Sequence, residues 1–174
     1  MKVSDAIFDI LKQYVDTVFF VPGGHAAHLV DSLGRSGLKA VSALHEQGAG
    51  FMAIGYSQAR NGLGVCLTTS GPGATNAITP CAAAWMDSVP VLFISGQANS
   101  TSLIGNSGLR TRGVQEVDIV SLVKPITKFA ILFGDGLGAK ADVGTMNIYC
   151  DYALQARPGP CWLDVPLDVQ GMEI

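Results

Sequence analysis

Short apolar runs alternate along this chain with stretches whose hydrophobic positions recur at helical spacing. Ala6, Ile7, Ile10 and Leu11 share one face of a helix that Ser4 is placed to cap and that runs to about Tyr14. TVFFV at 17–21 then reads as a buried strand ended by Pro22-Gly23-Gly24. A helix from about His25 to Leu33 is expected to stop at Gly34, a natural C-cap. LKAVS at 38–42 predicts the next strand, residues 47–60 a helix, and LGVCLTT at 63–69 a third strand. SGPG leads into a helix reaching about Met86, and PVLFIS at 90–95 is a fourth strand. Further strands are predicted at 126–132 and 161–165, with a helix between them from about Ala139 to Gln155. Strands that read as continuous apolar runs between helices imply a mainly parallel sheet buried on both faces. The expectation is an α/β, doubly wound fold of about six strands with helices on both sides.

Composition sharpens this picture. The 174 residues suffice for one domain with a sizeable core. Charged residues make up only 14% of the chain, which leaves few groups to cover a monomer's surface and favours burial against another subunit or domain. A net charge of −3 offers no electrostatic footprint for nucleic acid or an anionic membrane. The first twenty residues carry Lys2, Asp5, Asp9, Lys12 and Asp16, so they hold no apolar signal-peptide core. Residues 61–86 carry no charge, but their Asn, Thr, Pro and Gly break the continuous apolar helix a bilayer requires. A soluble, cytoplasmic protein is expected. Cys66, Cys81, Cys150 and Cys161 show no CxxC spacing and read as small core residues in a reducing compartment.

Three constellations mimic sites. Gly71-x-Gly73-x-x-Asn76 follows a strand and opens a helix, as a dinucleotide fingerprint does. Its third glycine is missing, and Ser95-Gly96-Gln97 stands where the ribose-binding acid belongs. Gly134-Asp135-Gly136 reads as a surface turn. His25 and His28 lie three apart with no nearby Cys or carboxylate to complete a metal set, so no metal site is expected. The polar connection at 98–113 is long enough to be either functional or mobile.

The most informative stretch is His45 to Asn76, HEQGAGFMAIGYSQARNGLGVCLTTSGPGATN. It puts one carboxylate, Glu46, where a strand hands over to a helix of small residues, and then supplies a strand and a tight Gly-Pro-Gly turn. Glu46 also has a simpler reading, since a carboxylate in a helix's first turn gains about 0.3–1 kcal/mol from the macrodipole. Together with VPGG (21–24), TTSGPGATNAI (68–78), AWMDSVPVLFISGQ (84–97), GVQEVDIV (113–120) and RPGPCWLDVPLDVQ (157–170), however, the order resembles the pyrimidine-binding (PYR) domain of thiamine-diphosphate enzymes, in the acetolactate synthase-like branch.

That resemblance implies that Glu46 hydrogen-bonds N1′ of the cofactor's aminopyrimidine, the cofactor itself supplying the carbanion chemistry at its thiazolium. It implies that Pro22, Gly23, Ser70, Gly71, Pro72 and Asn76 shape the pyrimidine slot; ordinary strand-to-helix turn chemistry explains the same residues without a ligand. Gln115 matches a glutamine facing the reacting carbon, and an exposed polar role suits it equally. The family's magnesium and diphosphate are held by a second (PP) domain through a GDG…N pattern, and here no Asn lies beyond Asn147. The expectation is therefore half a site: a single PYR domain over 1–174, with a linker toward an absent middle domain starting at about 166. Such a chain is a fragment of a longer enzyme or a natural small subunit. It would pair with a PP domain in the same longer chain or in a partner subunit, and form a homodimer or larger assembly. A small 2-oxo acid would be the substrate and bound FAD is left open. The alternative is a non-catalytic PYR-like module kept for dimerisation or regulation. Pro80 departs from the family pattern, which usually has glycine there. In mid-helix it costs about 3 kcal/mol unless the helix kinks, with the carbonyl of Asn76 as the group it would crowd.

Overall fold

The first apolar run forms β1 (Thr17–Phe20), and it pairs in parallel with strands on both of its sides. On one side lies β2 (Lys39–Ser42), and on the other β3 (Gly64–Thr68). Beyond β3 come β4 (Val91–Gln97), β6 (Cys161–Pro166) and, at the edge, β5 (Phe129–Leu132). The order β2-β1-β3-β4-β6-β5 makes one open sheet in which every pairing is parallel. This computed structural model describes residues 1–134 and 143–174.

Pleating divides the apolar runs between two cores. Val65, Leu67, Leu92, Ile94, Leu163 and Val165 face one side, where α1 (Val3–Leu11), α2 (Ala27–Arg35), α7 (Met146–Leu154) and α8 (Leu167–Gly171) pack. Cys66, Val91, Phe93 and Trp162 face the other, under α3 (Glu46–Arg60), α4 (Pro72–Asn76), α5 (Ile78–Asp87) and α6 (Ile119–Val123). Phe93 and Trp162, paired across β4 and β6, stack with centroids 5.1 Å apart. The doubly wound α/β fold read from the apolar runs is the fold observed. All four cysteines are buried and free, and burial raises each thiol's pKa, so they act as core residues.

Several element ends differ from the sequence reading, each for a local reason. Ser4 does not cap α1: the helix begins at Val3, and the Ser4 hydroxyl is buried, accepting from Ser32 Oγ at 2.8 Å. Gly34 lies inside α2, and the left-handed residue that ends this segment is Gly37, at φ +84°. The strand predicted from 126 begins only at Phe129, because Lys124–Ile126 around Pro125 form a 3-10 turn. The helix predicted from Ala139 is observed from Met146, after a 3-10 turn at Val143–Thr145; its first predicted residues lie outside the described ones. Of Gly134-Asp135-Gly136 only Gly134 is described, at φ +66°. The stretch read as the start of a linker carries α8, whose Val169 and Gln170 are buried against α1 and α2.

Pro80 is accommodated by a break. The predicted single helix to Met86 is two, α4 ending at Asn76 and α5 starting at Ile78. Pro80 is thus the third residue of α5, inside the first turn, where a backbone N–H has no helical partner to lose. Its ring packs on α3 at Gly50, where a Cβ would stand only 2.3 Å from the Pro80 Cγ.

Candidate functional site

In an open sheet of this kind, ligands bind beyond the strand C-termini where the winding reverses direction. Here that point lies between β1 and β3, since the chain winds outward from β1 to β2 and then returns to β3. The residues singled out from sequence gather there. Pro22 and Gly23 follow β1, and Ser70, Gly71 and Pro72 follow β3. The two turns touch: a Cβ on Gly23 would fall 2.4 Å from the Thr69 Cβ. Buried Ser70 is hydrogen-bonded through Oγ to His25 Nδ1 at 2.6 Å, which ties the second turn to the 3-10 turn at Gly24–Ala26.

Glu46 enters from β2 as the first residue of α3. The capping hydrogen bond of this helix comes from its neighbour, His45, whose Nδ1 accepts from the Gln47 N–H at 3.1 Å. The Glu46 carboxylate instead turns toward α4. Oε2 accepts from Asn76 Nδ2 at 2.9 Å, and Oε1 lies over Gly73, where a Cβ would come within 3.3 Å of it. Asn76 is the last residue of α4.

Gln115 belongs to the long connection after β4, and the fold brings its backbone against the same turn. A Cβ on Gly71, itself at φ +58°, would stand 2.3 Å from the Gln115 carbonyl oxygen. Gln115 is held in the left-handed region at φ +54°, a conformation that costs a non-glycine residue on the order of 1 kcal/mol. The structure therefore brings Pro22, Gly23, Glu46, Ser70, Gly71, Pro72, Asn76 and Gln115 together where β1 and β3 end and α3 begins. His25 and His28 separate: His25 meets Ser70, whereas the His28 ring lies beside Gly171. Among the described residues, no group of three or more His, Cys, Asp or Glu is placed to hold a metal ion.

A second cluster escaped the sequence reading. At the C-terminal ends of β4 and β6, the Asp164 carboxylate is buried and accepts from Ser95 Oγ at 2.6 Å and Gln97 Nε2 at 2.8 Å. Trp162 Nε1 donates to the same Ser95 Oγ at 2.9 Å. Polar residues two apart on strands otherwise wholly buried (Ser95 and Gln97, Trp162 and Asp164) were the available signal, since period two puts each pair on one face. The cluster floors a cavity of about 660 Å³ walled by the connection after β4.

Burial pushes the Asp164 carboxyl from an ordinary 3.8 up to about 7; the Asp118 charge adds to the rise, and the hydrogen bonds from Ser95 and Gln97 oppose it. The folded state therefore holds this proton more tightly than the unfolded chain. Its contribution to stability is fully present below the unfolded value and is lost as the pH rises through about 7. Relative to an Asp164→Asn variant, the parent should lose on the order of 10 °C in Tm between about pH 4 and pH 8. Thermal melts of both proteins across that range check this, and parallel curves would contradict it.

These features define an α/β domain that presents one oriented carboxylate beside glycine-bearing turns at its topological switch point. Residues 1–122 match the model of the family described as thiamine pyrophosphate enzyme, N-terminal TPP binding domain, and the chain belongs to that family. It is 40% identical to the acetolactate synthase large subunit of Corynebacterium glutamicum over 179 residues, covering 100% of this chain and 27% of that protein. It is 42% identical to the acetolactate synthase isozyme 2 large subunit of Escherichia coli over 158 residues, covering 91% of this chain and 27% of the relative. To a probable acetolactate synthase large subunit of Methanocaldococcus jannaschii it is 39% identical over 177 residues, 100% of this chain and 28% of that one. The chain thus spans about a quarter of the length of the curated relatives it matches.

Proposed function

We propose that this chain is the pyrimidine-binding half of a thiamine-diphosphate enzyme that acts on a 2-oxo acid in acetolactate synthase-like chemistry, with Glu46 as the residue that engages the cofactor. The observation that carries this reading is the Glu46 carboxylate: it stands at the topological switch point, oriented by Asn76 and faced by Gly73. These residues fit a flat aminopyrimidine. Glu46 is an acceptor for a ring N–H, and the glycines at 23, 71 and 73 let the neighbouring turns and Gln115 close on one another beside it. When bound, the cofactor supplies the carbanion chemistry at its thiazolium. The protein's part is to hold charge opposite N1′ in a site that is already organised, which is where a fixed carboxylate is most effective. Asn76 keeps the carboxylate aimed, and the Ser70–His25 hydrogen bond keeps the SGPG turn in place. Gln115 would face the substrate side.

The reading assigns magnesium and the diphosphate to a PP domain, whether in the same longer chain or in a partner subunit. Purified chain with thiamine diphosphate, magnesium and pyruvate should accordingly show no decarboxylation or carboligation. Turnover by this chain, free of host enzyme, would overturn the half-site assignment.

Exposed apolar side chains support an obligate partner. Phe51 and Met52 on α3, and Trp85 and Met86 on α5, are 47%, 37%, 40% and 68% exposed, on two helices that pack side by side. A surface of this kind favours burial against another chain. We expect a homodimer or larger even-numbered assembly; sedimentation as a stable monomer at micromolar concentration would count against it.

A further inference from the structure

The Asp164 cluster lies outside the carboxylate site, yet it controls the segment that carries Gln115. Gln97, the last residue of β4, uses every polar atom of its amide. Its Oε1 accepts from the Ala98 N–H at 2.9 Å, where the long connection leaves the sheet. Its Nε2 donates to the Val117 carbonyl at 2.8 Å, where the connection returns. One side chain therefore pins both ends of residues 98–117. The remaining Nε2 hydrogen goes to Asp164 Oδ2, a charge-assisted bond that reinforces the orientation the two pins require. A carboxylate only accepts, so the opposite orientation would set Gln97 Oε1 against a buried negative charge and lose both pins at once.

Within the connection, Glu116 gathers the backbone N–H groups of Ile104, Arg112 and Gly113. The turn is thereby a single unit, and its placement depends on its two ends. Gln115 sits in that unit, in a left-handed conformation, with its carbonyl against Gly71. A conformation of that kind persists only where its surroundings hold it.

We propose that Asp164 is a positioning residue: through the amide of Gln97 it clamps both ends of the 98–117 connection and so sets where Gln115 stands beside the SGPG turn. The importance of Gln115 rests on the function proposed above; the clamp does not. The charged groups facing Asp164 across the cavity are Asp118, Glu116 and Arg112. The two backbone pins keep the amide's orientation in either state, and a neutral Asp164 removes the charge assistance from the third bond. The clamp is therefore tighter when Asp164 is ionised and loosens on protonation, within reach of neutral pH since burial raises this carboxyl to about 7.

The test needs no cofactor. In the full chain, hydrogen exchange over 98–117 and tryptic cleavage after the exposed Arg110 and Arg112 report opening of the connection. The indole N–H of Trp162, assigned by comparison with Trp85→Phe, reports the protonation of Asp164 through Ser95. Asp164→Asn should raise both opening measures by about tenfold, as expected when one charge-assisted hydrogen bond leaves a local opening equilibrium. It should also abolish the pH titration of the Trp162 signal. Gln97→Met should reproduce the opening and leave the Trp162 titration in place, a separation that general loosening of the core does not produce. In the parent, the Ala98 amide and the Trp162 indole should titrate together. Unchanged protection of 98–117 in both variants, or independent titration of the two parent signals, would overturn the proposal. That result would leave the Glu46 reading untouched, because Glu46 is tested by turnover.

Discussion

Glu46→Gln in the assembled thiamine-diphosphate enzyme should lower kcat by about 10²–10³-fold, corresponding to about 2.7–4 kcal/mol of lost electrostatic stabilisation. The substitution keeps the shape of the side chain and its place at the start of α3. It exchanges the carboxylate for a neutral amide, so the contact to a protonated ring nitrogen loses its charge. The helix should barely notice, since His45 makes the capping hydrogen bond and the macrodipole term is worth about 0.3–1 kcal/mol. Turnover at saturating cofactor, measured alongside Tm, separates the two roles. A variant matching the parent in both would sink the assignment of Glu46 and leave the non-catalytic module as the better reading. An Asn76→Ala variant should fall between them, because it frees the carboxylate without neutralising it.

Gly96→Ala should be among the most destabilising single substitutions in this domain, at about 3 kcal/mol. A Cβ at this position of β4 would stand 2.0 Å from the His25 carbonyl oxygen and 2.5 Å from its carbonyl carbon. These are backbone atoms, and they have nowhere to go. The His25 carbonyl accepts from Gln170 Nε2 at 2.7 Å, and its ring is hydrogen-bonded to Ser70. Yielding at this point would pull on α8 and on the SGPG turn together. Gly55→Ala is the matched control, since nothing lies within 4 Å of the added methyl and the site is inside α3. That change should be neutral or stabilising by up to about 1 kcal/mol. Urea denaturation of both variants measures the contrast, and a Gly96→Ala protein as stable as the parent would refute the packing argument.

The candidate site was legible through the chain's resemblance to a known family, since local geometry alone marks the same residues only as turn and helix-start residues. Gly71 needs φ +58°, and Glu46 must follow a strand and open a helix; both are properties of short stretches of chain. The helix break at Pro80 was half legible. Proline announces a kink, but only the facing Gly50 shows where the ring goes.

The sequence by itself determined the alternation of elements and the burial of both sheet faces. Apolar periodicity and turn chemistry act over a few residues, so they leave a direct trace in the chain. The tertiary structure alone decided the order of β6 and β5 at the sheet edge and the helix ends at Val3 and Arg35. It also decided the pairing of Asn76 with Glu46 and the Asp164–Gln97 clamp, whose partners lie 67 residues apart. A lone aspartate in an apolar strand has no meaning until a neighbouring strand is laid beside it. Which strand that is depends on how the whole sheet is wound, and no local pattern encodes it.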